Sequence, residues 1–119
     1  MGDLQELGRK GEEMAVAYLR RKGYRILERN YRIRQGEIDV IARRGKILVF
    51  VEVKTGRDLS FGPPQDRVNR RKRAHMVQAA SAYMMERKIG ESDCRFDVIA
   101  IVLDENGTKL THIVNAFSA

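Results

Sequence analysis

The stretch from Gly36 to Lys54, GEIDVIARRGKILVFVEVK, constrains the fold more than any other part of this 119-residue chain. Two runs rich in β-branched residues flank Arg44-Gly45, a pattern that predicts an antiparallel hairpin with a tight turn. Side chains alternate faces along a strand, so Phe50, Glu52 and Lys54 share one face while Val49, Val51 and Val53 share the other. With Arg44 and Gly45 as the turn residues, Arg43 pairs with Lys46, Asp39 with Phe50 and Glu37 with Glu52. Asp39 then lies diagonal to Glu52, roughly 7–8 Å away at Cα, close enough for two carboxylates to hold one cation between them. Lys54 extends the same row.

Charge inside an apolar hairpin needs a reason. A buried carboxylate without a partner shifts its pKa or destabilises the fold, and a divalent cation removes that cost. A single charged strand residue is ordinarily solvated, or closed into an internal ion pair. Asp39, Glu52 and Lys54 together on one face, between continuous apolar runs, favour the cation site.

The net charge of +7 and pI near 9.9 point to an acidic partner, of which nucleic acid is the commonest and a membrane surface the rival. No apolar run of about 18 residues and no basic-then-apolar leader is present, so a cytoplasmic protein without a membrane partner is expected. The length suits a single domain spanning 1–119. One cysteine, Cys94, allows no intrachain disulfide, and one Cys with two His excludes a structural zinc site. Cys94 precedes an apolar run and is expected to be a small packing residue.

The first helix is expected from a capping box at Asp3 and Glu6 to about Lys22, ended by Gly23. Leu4, Leu7, Gly11, Met14, Ala15 and Tyr18 form its apolar stripe, with Glu12 at the stripe's edge and free to look inward. Gly8 and Gly11 would let it approach a sheet closely. A strand follows over Tyr24 to Arg32. After Lys54, TGRDLSFGPPQD fits no regular element and is expected to border a substrate channel.

A second helix is expected from about Asp66 or Arg67 to Lys88, with Val68, Met76, Val77, Ala80, Tyr83 and Met84 on its apolar side. Its first turns hold Arg67, Arg70, Arg71, Lys72 and Arg73. Cations at a helix N-terminus oppose the macrodipole, so this cluster reads as a phosphate-binding patch rather than a helix-stabilising one. Arg95 to Leu103 reads as an internal strand interrupted by Asp97, and Thr108 to Val114 as the returning edge strand that carries a structural His112.

Asp39 followed by Glu52-Val53-Lys54 resembles the D…(D/E)-x-K signature of the PD-(D/E)XK nuclease superfamily. The fuller wording, GEIDVIA, LVFVEVKTG and FGPP, resembles the YraN-like family of small bacterial proteins, related by fold to archaeal Holliday junction resolvases, from Gly8 to about Phe117. Ile38 stands where the superfamily's name has Pro, and Gln78 and Tyr83 are one residue too far apart for the Q-x-x-x-Y of RecB-like members. The element order of helix, three strands, helix, two strands agrees with the superfamily's αβββαβ core, so the expected fold is restriction-endonuclease-like α/β, a mixed five-stranded sheet flanked by helices.

The resemblance implies a metal-dependent DNA endonuclease for branched or structured DNA, with Asp39, Glu52 and Lys54 as catalytic residues. Mg²⁺ or Mn²⁺ would be held by Asp39, Glu52, the Val53 carbonyl and Glu12, which matches a glutamate that related resolvases carry on the first helix. Oxygen ligands suit these ions better than zinc. Lys72 matches a basic position of the family, and the resolvases imply a homodimer. The alternative is a non-catalytic DNA-binding protein with the same fold.

Overall fold

In the computed structural model, residues 2–57 and 68–119 are described. The elements are α1 (Gly2–Arg21), β1 (Arg25–Ile33), β2 (Gly36–Arg44), β3 (Ile47–Gly56), α2 (Arg70–Glu86), β4 (Asp93–Asp104) and β5 (Gly107–Phe117). The order is the expected one. All five strands form one sheet in chain order, antiparallel except for the parallel β3–β4 pair. Parallel neighbours need a long crossover, and the segment containing α2 supplies it.

Each helix covers one face. Ala15, Val16 and Leu19 of α1 pack with Val40, Ala42, Val49, Val51, Ile99 and Ile101. Met76, Ala79, Ala80 and Tyr83 of α2 pack with Ile41, Leu48, Phe50, Phe96 and Val98 on the other side. Burial on both faces is why β3 and β4 are nearly continuous apolar runs.

The ends of the elements have local causes. Tyr24 N–H donates to Leu19 O (2.9 Å) and Gly23 N–H to Arg20 O (3.1 Å), with Gly23 at φ +91°, so α1 closes in a Schellman motif. Tyr24 is used in that closure, and β1 starts one residue later than expected, at Arg25. The side chain of Asp3, half of the expected capping box, lies outside the described residues. Helix α2 starts at Arg70, not at 66 or 67, because Asn69 caps it by accepting Lys72 N–H at 2.8 Å.

The central hairpin departs from its expected register. Arg44 pairs with Ile47, Arg43 with Leu48 and Val40 with Val51, so the turn is Gly45-Lys46, not Arg44-Gly45. Gly45 has φ +60°, which a type II′ turn requires of its first central residue, and no β-carbon penalty arises there. Continued by one step, this register sets Asp39 level with Glu52 instead of diagonal to it.

On the α1 side of the sheet, Asp97 is fully buried and saturated with donors. Arg95 contacts both of its oxygens at 2.9 Å, His112 Nε2 lies 2.7 Å from Oδ2, and the Asn115 N–H donates at 2.9 Å. Burial alone would raise the pKa of this carboxyl. The hydrogen bonds from His112, Arg95 and Asn115 outweigh it and hold the carboxyl below its usual range. Satisfying Asp97 disrupts the adjoining ladder: Phe96 faces Phe117 but Val98 faces Ile113, and the extra residues bulge out around Asn115, at φ +56°. His112 also meets the Tyr18 hydroxyl at 3.0 Å, tying β5 to α1. The expected structural role of His112 is what its contacts describe. Cys94, expected to pack, is exposed.

Candidate functional site

The site forms where β2 and β3 part. Their pairing runs as far as Val40 and Val51. Beyond it the Asp39 carboxylate takes the place of a strand partner, Oδ2 accepting the Val53 N–H at 2.7 Å. The two-residue alternation slips at the same point: Ile38 and Ile41 both pack on the α2 side, while Val40 packs on the α1 side. Across β1, Asn30 sits at φ +53°, a conformation that asparagine tolerates better than most residues.

Glu52 follows Phe50 on the α2 face, and its side chain is only 4% exposed. One oxygen, Oε2, faces two ammonium groups: Lys72 Nζ at 3.5 Å and Lys54 Nζ at 3.6 Å. The other, Oε1, is buried and is reached by neither lysine, which leaves the Asp39 carboxyl as its polar neighbour. Asp39, partly buried beside it, has its pKa pushed up to about 8, first by burial and next by the Glu52 charge, against the opposing Val53 N–H. Two carboxyls this close share their negative charge poorly, so Asp39 keeps its proton near neutral pH.

Glu12, on α1, lies near enough to Asp39 to feel its charge but does not complete a three-carboxyl group with Asp39 and Glu52. Its pKa is raised by burial and by the charge of Asp39, and a hydrogen bond with Asn30 works the other way. Its approach depends on the preceding residue: a β-carbon on Gly11 would collide with the Thr55 side chain of β3, so only glycine lets α1 come this near. Gly8, expected to serve the same purpose, faces open space. It lines, with Glu12, Arg9, Asn30 and Arg32, an open groove of about 610 Å³. A groove of about 650 Å³ between α1 and the β4–β5 turn shares none of these residues. On the opposite face, a β-carbon on Gly36 would come within 2.5 Å of the His75 carbonyl oxygen, so this glycine sets how near α2 and its Lys72 lie.

The five expected phosphate-binding cations separate. Arg70 and Arg71 are exposed, whereas Lys72 turns toward Glu52. Arg73 donates to Val68 O at 2.8 Å and lies over the Phe117 ring at 5.4 Å. Arg67 and most of the loop from Thr55 to Asp66 lie outside the described residues. The link between Lys72 and Glu52 is not legible in the sequence because it joins different elements; the signal available is Lys72's place four residues before Met76, on the buried side of α2. Asn30 was missed as well, its cue being asparagine at a strand irregularity.

The donor set fits a hard divalent cation. The observation that carries this is Glu52 Oε1, a buried oxygen that neither lysine reaches, beside a second carboxyl that resists ionising unaided. Among the described residues, no group of three or more His, Cys, Asp or Glu side chains is close enough together to form a ready-made cage. Magnesium does not need one, since it retains waters and commonly takes one or two carboxylates together with substrate oxygens.

A mixed five-stranded sheet with a helix on each face, and with a carboxylate pair and lysine where two central strands part, defines a restriction-endonuclease-like α/β fold. The family model described as "Uncharacterised protein family UPF0102" matches residues 11–101, and the chain belongs to that family, the YraN-like family its motifs resemble. The matched span includes Glu12, Asp39, Glu52, Lys54 and Lys72. Relatives named UPF0102 protein include one from Christiangramia forsetii, 47% identical over 117 residues and covering 98% of each chain. One from Pelobacter propionicus is 48% identical, over 97% of this chain and 84% of its own. One from Chlorobium phaeobacteroides is 49% identical over 94% of each. Among the described residues, no helix is long and apolar enough to cross a membrane.

Proposed function

We propose that this protein is a metal-dependent endonuclease that hydrolyses phosphodiesters in branched or otherwise structured DNA, acting in the cytoplasm as a homodimer. The observation that carries the reading is the buried Asp39–Glu52 pair between apolar strands, with Lys54 beside it. Mg²⁺ or Mn²⁺ bound there supplies Lewis-acid polarisation of the scissile phosphate and lowers the pKa of a water. Asp39 and Glu52 would hold the ion, with the Val53 carbonyl and Glu12 as further oxygen donors. Lys54, 40% exposed, reaches from Glu52 toward solvent, where it meets the negative charge that develops on the phosphate. Arg70 and Arg71, exposed on the first turn of α2 beside Lys72, bind flanking phosphates. A four-way junction offers two symmetric strands to cut, which a two-fold dimer matches. Sedimentation equilibrium tests the dimer, and a monomer at high concentration rejects it.

The test of activity is cleavage of end-labelled linear, nicked, flapped and four-way-junction DNA with Mg²⁺, Mn²⁺ or EDTA. Wild type cuts only with metal, preferring branched substrates, and both Asp39→Ala and Lys54→Ala lose at least about 100-fold in rate. The absence of a three-ligand cluster among the described residues favours a second reading, a DNA-binding protein that does not cut. Binding without cleavage, undiminished in both variants, is the outcome that selects it.

A further inference from the structure

Lys72 is placed differently from the arginines that surround it. Its backbone is fixed, since its N–H is held by the Asn69 cap at 2.8 Å. Its ammonium is held weakly, 3.5 Å from Glu52 Oε2, whereas well-made ion pairs with carboxylates close to roughly 2.7–2.9 Å. The side chain is 33% exposed, so it already reaches solvent at the mouth of the site. Lys54 contacts the same oxygen at 3.6 Å, which gives Glu52 two loose cationic neighbours on one oxygen and none on the other. A divalent ion on Oε1 would neutralise Glu52 more completely than either lysine, and would repel both.

We propose that Lys72 is a displaceable counter-ion: it neutralises Glu52 until a divalent cation takes over, and its released ammonium then pairs with a nucleic-acid phosphate, so that metal and DNA reinforce each other's binding. This rests on the reading of the site as a metal-dependent nuclease. By linkage, whatever factor the metal adds to DNA affinity, DNA adds to metal affinity. Four bonds of side-chain freedom and a fixed Cα let the exchange occur without moving α2.

The test uses the full chain in three forms: wild type, Lys72→Met and Lys72→Arg, with thermal melts to show that all are folded. Mn²⁺ affinity is read by electron paramagnetic resonance without DNA. Junction-DNA affinity is read by fluorescence anisotropy in EDTA and in Ca²⁺, with the DNA checked for integrity on a denaturing gel. Removal of the competing ammonium makes Lys72→Met bind Mn²⁺ at least about threefold more tightly than wild type. With each form's affinity in EDTA as its own reference, the gain that Ca²⁺ gives wild type is lost in Lys72→Met, together with about one unit of the salt slope measured in Ca²⁺. Lys72→Arg keeps the gain. If wild type binds Mn²⁺ and DNA but Lys72→Met shows unchanged or weaker Mn²⁺ binding, or an intact Ca²⁺ gain, the counter-ion proposal fails while the nuclease reading stands. Wild type that binds no Mn²⁺ overturns both.

Discussion

Asp39 concentrates the chemistry of the site in one titration. Its pKa is about 8 in the folded protein against 3.8 for the free side chain, so the folded state holds an extra proton between those values. Stability contributed by that proton is complete below pH 4 and is lost as pH rises through 8. Without metal, the melting temperature therefore falls between pH 5 and pH 9, and Asp39→Asn flattens this dependence, stabilising the protein by about 2 kcal/mol at the alkaline end. Adding Mg²⁺ at pH 8 raises the melting temperature of wild type and not of Asp39→Asn. Thermal melts across pH check both statements, and a variant with the wild-type pH profile would show that Asp39 ionises freely. The sequence made Asp39, Glu52 and Lys54 legible because strand periodicity and a motif agree on them. It did not reveal that Asp39 caps a strand amide, because that follows from two strands diverging after the Val40–Val51 pair.

At the scale of elements, the sheet is interrupted twice by the same device, an aspartate taking a backbone N–H: Asp39 on Val53 and Asp97 on Asn115. Only the first leaves a carboxyl short of partners; the second is closed by Arg95 and His112. Asp97→Asn leaves the Arg95 guanidinium without its counter-charge and loosens β5, at a cost of about 3 kcal/mol measured by denaturant unfolding. Asp97 gains stability from being ionised, so the wild-type advantage is present above pH 4 and disappears as Asp97 is protonated below that pH. A cost under about 1 kcal/mol would place this cluster among ordinary surface pairs. The register of the hairpin belongs to this scale too. Arg44-Gly45 and Gly45-Lys46 turns differ by two residues in pairing, which preserves the faces, so hydrophobic patterning does not separate them; the need for a positive φ at the first central residue does, since Gly45 supplies it and Arg44 does not. The sequence also leaves the start of α2 open by a few residues: the basic run includes Arg67 upstream of the cap, and charge says nothing about where the Asn69 side chain turns.

For the whole molecule, the proposed binding to DNA predicts an affinity that falls with salt, as the net charge of +7 favours, with Arg70→Ala and Arg71→Ala each reducing the log–log slope by about 1. Anisotropy titrations between low and physiological salt measure it, and an unchanged slope would move the phosphate contacts elsewhere on the surface. The element order and fold class were readable from the sequence because hydrophobic period, turn residues and motif spacing all agree on them. The meeting of Lys72 with Glu52 was not, since it depends on how near α2 lies to the sheet, which Gly36 sets against the His75 carbonyl. The strand order has a further consequence, for how the chain folds. Because β1, β2 and β3 are neighbours both in sequence and in space, their pairing needs only short loops to close, whereas β4 must wait for the crossover through α2. Glu12, Asp39, Glu52 and Lys54 all belong to the part that precedes this crossover. A chain emerging from the ribosome thus makes the Asp39–Glu52 pair and Lys54 before α2 exists, and Lys72 reaches Glu52 only when α2 docks.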